Sequence, residues 1–230
     1  MAARLDGPRL PAKSRVTEQL VVFLHGYGAN GQDLIAIGKQ WQALLPGAAF
    51  VAPNAPELCG QIPGGRQWFA LTMRDPNERW VGVNKAAPVL DQFLDEELGR
   101  HHLESSKLAL VGFSQGTMLA LHAGLRRVPP PAAILGYSGE LVLPPEQDPA
   151  LPAFDSRRPP PILLIHGGAD EVIPAEALFL SAAELARAGI GCQWHLSRQL
   201  GHGIDGEGLL HGGLFLAKCF NLKPALRAKA

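Results

Sequence analysis

A strand, a sharp turn and a helix follow one another without a gap at residues 108–123, near the middle of the chain. An apolar run leads into a Gly-Phe-Ser-Gln-Gly turn at residues 112–116, and a helix-compatible stretch comes after it. This order is the context of a nucleophile elbow, in which a serine lies in a strained turn above a sheet. Gly112 and Gly116 lack the Cβ atoms that would collide with the neighbouring strand and helix. The sequence therefore predicts that Ser114 projects above a sheet with its hydroxyl free to attack.

Apolar runs of strand length alternate with helical patterns through the whole chain. The predicted strands cover residues 20–24, 48–52, 108–111, 132–138, 162–166 and 191–198, and the predicted helices cover residues 32–45, 83–98, 117–123, 175–188 and 209–220. Pro88 lies inside the second helix and marks either a kink or the true start of that helix. Alternation of this kind predicts an α/β fold, with a mostly parallel central sheet and helices on both faces.

The chain is predicted to form a single domain over residues 1–230, because its length suits one core and no linker interrupts it. Residues 1–18 contain prolines and are expected to form a peripheral segment with at most a short edge strand. Residues 53–82 combine prolines and glycines with aromatic side chains, which favours a folded flap over a pocket, with a purely structural loop as the alternative. Residues 223–230 are expected to form a C-terminal tail.

Composition narrows the possible partners and compartments. Hydrophobic residues make up 47% of the chain, charged residues 18%, and the net charge is zero. No nucleic-acid partner or stable membrane association is therefore expected. Cys59, Cys192 and Cys219 are odd in number and far apart, which predicts structural thiols rather than disulfides or metal ligands. With no signal-peptide pattern and no apolar run of membrane-spanning length, a cytoplasmic location is expected.

The ends of three predicted strands carry the residue types that activate a serine. Serine needs a base within hydrogen-bond reach, and the base needs a carboxylate that orients it. Ser114, Asp170 and His202 follow three different strands, in the chain order that α/β-hydrolases use. Because the base acts as a neutral imidazole, activity is expected to rise with pH; a flat profile between about pH 5 and 8 would contradict this mechanism.

Other histidines and aspartates fit these positions less well. His166 precedes the carboxylate and is expected to pack beneath the turn, whereas His195 lies within the last strand as half-buried structure. Asp205 is close to His202 in sequence, but its place before the last helix is that of a first-turn acidic residue. The remaining candidates are His101, His102, His211, Asp148 and Asp155, which lie in helices or connections.

The glycine-rich loop after the first buried strand is the expected source of a second oxyanion donor. Its glycines let the backbone approach a substrate closely, and the N–H of Tyr27 is the predicted donor. The first donor is the N–H of Gln115, directly after the predicted nucleophile. Glycines in this loop are also what a tight strand-to-helix connection needs, so the loop by itself does not establish the function.

Four motifs in order resemble the phospholipase/carboxylesterase family, which includes bacterial carboxylesterases and acyl-protein thioesterases. They are Leu24-His25-Gly26-Tyr27-Gly28-Ala29-Asn30-Gly31, Gly112-Phe113-Ser114-Gln115-Gly116, His166-Gly167-Gly168-Ala169-Asp170-Glu171-Val172-Ile173-Pro174 and Gly201-His202-Gly203-Ile204. The resemblance implies an α/β-hydrolase fold without a separate cap domain, and an esterase with no cofactor and no metal. It also implies the Ser114–Asp170–His202 triad, backbone donors at Tyr27 and Gln115, and a weak homodimer.

The expected activity is hydrolysis of small soluble carboxylic esters. Tyr27, where relatives commonly carry leucine, and the charged residues 70–82 favour small substrates over long acyl chains. The candidate substrate-binding residues are Trp68, Phe69, Leu71, Met73, Val172 and Ile173, of which the Trp68-Phe69 stretch matches the aromatic border of the acyl pocket in this family. Thioester or lysophospholipid hydrolysis is the alternative within enzymes, and a non-catalytic binding protein is the alternative outside them. A dienelactone hydrolase is disfavoured because position 114 is not cysteine.

Overall fold

A seven-stranded sheet forms the centre of the computed structural model, which describes residues 4–60, 62–72, 75, 77–145 and 159–222. The strand order is β1-β3-β2-β6-β7-β8-β9. Its members are β1 (Arg9–Leu10), β2 (Gln19–Leu24), β3 (Ala48–Val51), β6 (Leu108–Phe113), β7 (Ala133–Tyr137), β8 (Ile162–Gly167) and β9 (Cys192–Ser197). Only β1 is antiparallel to its neighbour in this sheet, so the predicted mostly parallel sheet is confirmed.

Within the described residues, five α-helices cover the two faces of the sheet. They are α1 (Gly31–Trp41), α2 (Glu78–His101), α3 (Gln115–Arg126), α4 (Glu176–Arg187) and α5 (Gly206–Cys219). In β2, Val21 and Phe23 pack with residues of α1 and α5, whereas Leu20, Val22 and Leu24 pack with residues of α2, α3 and α4. Successive side chains of a strand point to opposite faces, so a strand buried on both sides is apolar throughout.

The second helix is longer than the sequence predicts. The prediction starts it at residue 83, but α2 begins at Glu78 and continues through Pro88. Pro88 has no N–H to donate to the carbonyl of Asn84. Both residues lie on the exposed side of the helix, so water can satisfy that carbonyl. The helix thus tolerates a proline that the sequence pattern treats as a kink or a start.

The predicted flap over residues 53–82 is therefore only partly a loop. Two short strands within it, β4 (Glu57–Leu58) and β5 (Arg66–Gln67), pair antiparallel to each other. Its last residues belong to α2, where Gly82 packs so closely on Phe69 that a Cβ atom would overlap the ring. Close packing of this kind makes the end of the segment part of the core.

Strand β1, within the N-terminal segment, lies at the edge of the sheet. Arg9 of β1 donates two hydrogen bonds to the buried carboxylate of Glu97, at 2.7 and 3.2 Å. The predicted C-terminal tail lies outside the described residues. Among the helices of the described ranges, none is long and apolar enough to cross a membrane. All three cysteines are free, and burial raises the pKa of Cys192 and of Cys219 to about 11.

Candidate active site

Ser114 lies in a strained turn between β6 and α3. Its backbone has φ 53° and ψ −117°, in the region that favours glycine. The side chain makes no capping hydrogen bond to α3, so its hydroxyl is not held by the helix backbone. The Ser114 N–H donates to the carbonyl of Tyr137 at 2.9 Å, which fixes the turn at the carboxyl end of β7.

The two glycines of the turn are required by its close packing. A Cβ atom on Gly112 would overlap the backbone of α3 at Gly116 and Thr117. A Cβ atom on Gly116 would overlap the carbonyl group of Leu24 at the end of β2. The first contact is with the helix and the second with the strand.

Replacement of Gly116 by alanine is expected to destabilise the protein by at least about 3 kcal/mol, because a backbone carbonyl cannot move aside as a flexible side chain can. Gly99→Ala, in α2, is the matched control: no described atom lies within 4 Å of its Cβ position. That variant should be stabilised by about 0.5–1 kcal/mol. Chemical denaturation of both variants measures the difference. Equal midpoints for Gly116→Ala and the unmodified protein would contradict this packing.

Asp170 lies in the turn after β8, and both of its carboxylate oxygens accept hydrogen bonds. Oδ1 accepts from the N–H groups of Val172 and Ile173, each at 2.9 Å. Oδ2 lies 2.8 Å from Nδ1 of His202. Burial alone would raise the pKa of Asp170, but the hydrogen bonds from Ile173, His202 and Val172 outweigh it and the pKa is lowered. The carboxylate is therefore ionised at neutral pH.

His202 lies in the loop after β9, at the same edge of the sheet as Ser114. Its ring centre lies 5.0 Å from that of Phe113, the residue before Ser114. The next residue, Gly203, accepts a 3.1 Å hydrogen bond from the hydroxyl of Ser138, after β7. With Nδ1 donating to Asp170, Nε2 is left to accept a proton. The structure thus places the three candidate triad residues after β6, β8 and β9, at the carboxyl end of one sheet.

A second histidine contacts the same carboxylate. Nε2 of His166, buried at the end of β8, lies 2.8 Å from the carbonyl oxygen of Ile173 and 3.3 Å from Oδ2 of Asp170. The expected packing beneath the turn is correct, but the contact with Asp170 was not predicted. The signal was its spacing, since His166 precedes Asp170 by four residues across a glycine turn.

The two candidate oxyanion donors belong to segments that contact or contain the elbow. A Cβ atom on Gly26 would lie 3.3 Å from Cβ of Ser114, so the loop that carries Tyr27 runs against the elbow. Within the described part of the chain, the N–H groups of Tyr27 and Gln115 donate no hydrogen bond to a backbone carbonyl. Both donors are therefore available to an incoming oxygen.

The side chain of Gln115 has a structural contact that sequence reasoning did not identify. It accepts a hydrogen bond from the N–H of Trp68 at 2.9 Å and donates to the carbonyl of Phe69 at 2.8 Å. The indole of Trp68 in turn donates to the carbonyl of His25 at 2.9 Å. Burial lowers the pKa of His25, whose neutral ring accepts a 3.0 Å hydrogen bond from the N–H of Ala55. These bonds join three loops around the elbow.

The candidate substrate-binding residues differ in how much of each side chain is exposed to solvent. Trp68, Phe69 and Ile173 are buried in the core, Leu71 is partly buried against it, and Val172 is exposed. Met73 lies outside the described residues. Trp68 and Phe69 are therefore held at the elbow by their hydrogen bonds with Gln115. They do not form the open wall of a pocket.

A cavity of about 420 Å³ opens beside this region and was not predicted. Its apolar wall consists of Trp80, Leu141, Val142, Leu143 and Leu180. These residues come from α2, the connection after β7 and α4. That connection starts at Gly139, where a Cβ atom would lie 2.8 Å from the carbonyl oxygen of Ser114. An apolar Leu-Val-Leu run directly after a strand was the available signal.

The chain is similar to known esterases and thioesterases. A family model described as phospholipase/carboxylesterase matches residues 5–220. Acyl-protein thioesterase 1 of Gibberella zeae is 27% identical over 220 residues, covering 90% of this chain and 93% of its own. Esterase YpfH of Escherichia coli is 27% identical over 192 residues, covering 84% of this chain and 79% of its own.

A solved structure extends the likeness to the fold. The crystal structure of esterase PE8 superposes with a TM-score of 0.82 at 39% identity, covering 94% of this chain and 99% of that one. The predicted α/β-hydrolase fold and the predicted family are confirmed, and the protein is a carboxylic ester hydrolase. The family model spans nearly the whole described chain, from β1 to the end of α5, and the chain therefore belongs to the phospholipase/carboxylesterase family.

Proposed function

We propose that the protein hydrolyses small carboxylic esters through an acyl-enzyme formed on Ser114. The observation that carries this proposal is the 2.8 Å hydrogen bond between Nδ1 of His202 and Oδ2 of Asp170, at the sheet edge where Ser114 lies in its strained turn. This bond holds the histidine in the tautomer whose Nε2 can take a proton. The arrangement supplies a nucleophile, a base and an orienting carboxylate.

In the proposed reaction, the Ser114 hydroxyl attacks the ester carbonyl while Nε2 of His202 takes its proton. The resulting oxyanion accepts hydrogen bonds from the N–H groups of Tyr27 and Gln115, each worth roughly 3–4 kcal/mol in measured oxyanion holes. His202 then returns the proton to the departing alcohol. Water, activated by the same imidazole, attacks the acyl-enzyme and releases the acid.

The cavity beside the elbow supports the proposal that the substrate has a small acyl or alcohol group. Its wall is apolar, but an ion pair of 2.7 Å between Arg79 and Glu140 adds charge at one side. A long acyl chain that followed this wall would have to pass beside the charged pair, which is unfavourable for methylene groups. The cavity therefore favours short chains over long ones.

A panel of p-nitrophenyl esters tests the substrate class. We expect kcat/KM to be highest for acetyl and butyryl esters and to fall for decanoyl and palmitoyl esters. The names of the thioesterase relatives favour one second candidate, hydrolysis of longer acyl thioesters. A peptide with a palmitoylated cysteine belongs in the same panel. A higher kcat/KM on that peptide than on butyryl ester would establish the thioesterase alternative.

A fluorophosphonate probe tests the mechanism independently of the substrate. The probe forms a covalent bond with an activated serine hydroxyl, so mass spectrometry should locate one adduct on the peptide that contains Ser114. Heat-denatured protein is the control and should not react, because activation requires the folded site. A folded protein that does not react would favour a non-catalytic binding protein.

A further inference from the structure

Three potential metal ligands come together between the last strand and the last helix. One donor atom each from His195, Glu207 and His211 lies within 4.8 Å of the other two. Glu207 and His211 are four residues apart on α5, so they share one face of the helix. His195 of β9 pairs with Ile165, whose side chain packs on the α5 side of the sheet. The strand therefore directs His195 towards that helix face.

The two imidazoles have the arrangement that a shared ion requires. Their ring centres lie 4.5 Å apart with the ring planes perpendicular. Two imidazoles on one tetrahedral zinc, at ordinary Zn–N distances, have ring centres roughly 5 Å apart. Nε2 of His195 is buried and has no hydrogen-bond partner within the described residues. A buried imidazole nitrogen without a partner is unfavourable, so this nitrogen would gain from binding a ligand.

We propose that His195, Glu207 and His211 bind a divalent transition-metal ion, with Zn²⁺ the best match. Two imidazoles and one carboxylate are a zinc ligand set, whereas Ca²⁺ and Mg²⁺ require mostly oxygen ligands. Binding brings the donor atoms to roughly 3.3 Å from one another, as tetrahedral coordination demands. Glu207 is exposed, so its side chain can rotate to close this gap. Water fills the fourth position.

The surrounding charges favour a cation at this position. Asp205, the N-cap residue of α5, lies close enough to interact with His195 and adds a negative charge beside Glu207. Lys218 lines the same surface cavity, but it lies two turns along α5 from His211, roughly 10 Å away. The two carboxylates therefore dominate the field at the ligand atoms.

The position of the ion suggests a structural role. Residues 198–205 connect β9 to α5 and carry His202. An ion held by His195 on one side and by Glu207 and His211 on the other ties the two ends of this segment together. Because the ion binds the folded protein, it raises the unfolding temperature. It takes no part in the proposed hydrolysis, so the two proposals can fail separately.

Titration of the chelator-treated full-length protein with ZnCl₂ tests the site. We expect one ion per chain by calorimetry and a higher Tm. His195→Ala and His211→Ala should abolish the Tm increase, and Glu207→Gln should weaken binding at least about tenfold. CoCl₂ should give visible absorption bands of a low-coordinate site in the unmodified protein.

Two control variants distinguish this site from other histidines. His101→Ala, at the end of α2, and His202→Ala, in the candidate triad, should both keep the Tm increase. Loss of binding in His202→Ala alone would move the ion to the triad and overturn the proposal. Unchanged stoichiometric binding in His195→Ala and His211→Ala, or no calorimetric binding to the unmodified protein, would also overturn it. Glu207→Gln and the cobalt spectrum decide the case if a histidine variant fails to fold.

Discussion

Replacement of Ser114 by alanine is expected to lower kcat on every ester substrate by at least about 10⁴-fold. Alanine keeps the Cβ atom and removes only the hydroxyl, so the strained turn keeps its φ of 53°. The variant therefore loses the nucleophile and keeps the fold. Initial rates on butyryl ester and the Tm from circular dichroism measure the two effects separately, and the Tm should not change.

Ser105→Ala is the matched control for this variant. Ser105 is also buried, and its hydroxyl donates a 2.8 Å hydrogen bond to the carbonyl of Pro129, in a turn before β6. Its loss should cost about 1 kcal/mol of stability and leave kcat unchanged. Retention of more than a tenth of the activity in Ser114→Ala would refute the acyl-enzyme mechanism.

The Asp170→Asn variant is expected to lose about 10⁴-fold in kcat, by analogy with the same change in another serine hydrolase triad. Both carboxylate oxygens of Asp170 are acceptors, from His202 on one side and from two backbone N–H groups on the other. Asparagine has a single acceptor oxygen, so its NH₂ group must face one of these donors. If the NH₂ group faces His202, the imidazole must accept there, and Nε2 then carries a proton and cannot act as base.

Asp205→Asn is the control for this charge change, because Asp205 is a carboxylate only three residues after His202 in sequence. Its side chain caps α5 by accepting a 2.7 Å hydrogen bond from the N–H of Gly208. Asparagine caps helices about as well as aspartate, so activity and stability should change little. A larger loss of kcat in Asp205→Asn than in Asp170→Asn would assign the orienting role to Asp205.

The lowered pKa of Asp170 allows a second test of the Asp170→Asn variant, based on how its stability depends on pH. A carboxyl group whose pKa is lower in the folded than in the unfolded protein stabilises the fold above the unfolded value, about 3.9 for aspartate. That contribution is lost as the pH falls through the folded value. Asparagine does not titrate, so the Tm of the unmodified protein should fall more steeply than that of Asp170→Asn below about pH 4. Parallel curves would contradict the stabilising role.

Much of the fold follows from local pattern. The strands buried on both faces are continuous apolar runs, and their order along the chain already predicted a parallel sheet. The limits of the helices were less predictable from sequence, since α2 continues through Pro88. The carbonyl of Asn84, which Pro88 cannot bond, lies on the exposed face of the helix, where water can bind it. In the first turns of α2, Gly82 packs on Phe69, a contact that no local pattern reveals.

The candidate site likewise has residues that the sequence predicts and contacts that it does not. Ser114, Asp170 and His202 could be proposed from sequence because each follows a strand in a glycine-rich turn. The contacts of His166 with Asp170, and of Gln115 with Trp68 and Phe69, could not, because they join separate segments of chain. The cavity lined by Trp80 and Leu180 likewise needs α2 and α4 to meet.

The amino-acid sequence by itself determined the fold class, the family and the residue types at the strand ends, because these depend on local periodicity and on short motifs. Only the tertiary structure decided which groups hold those residues in place, and which distant side chains meet. His195, Glu207 and His211 are the clearest case: twelve residues separate the first from the second, yet strand register and helical period bring them together. Such contacts between distant side chains depend on how helices and strands pack, which no single segment of the chain encodes.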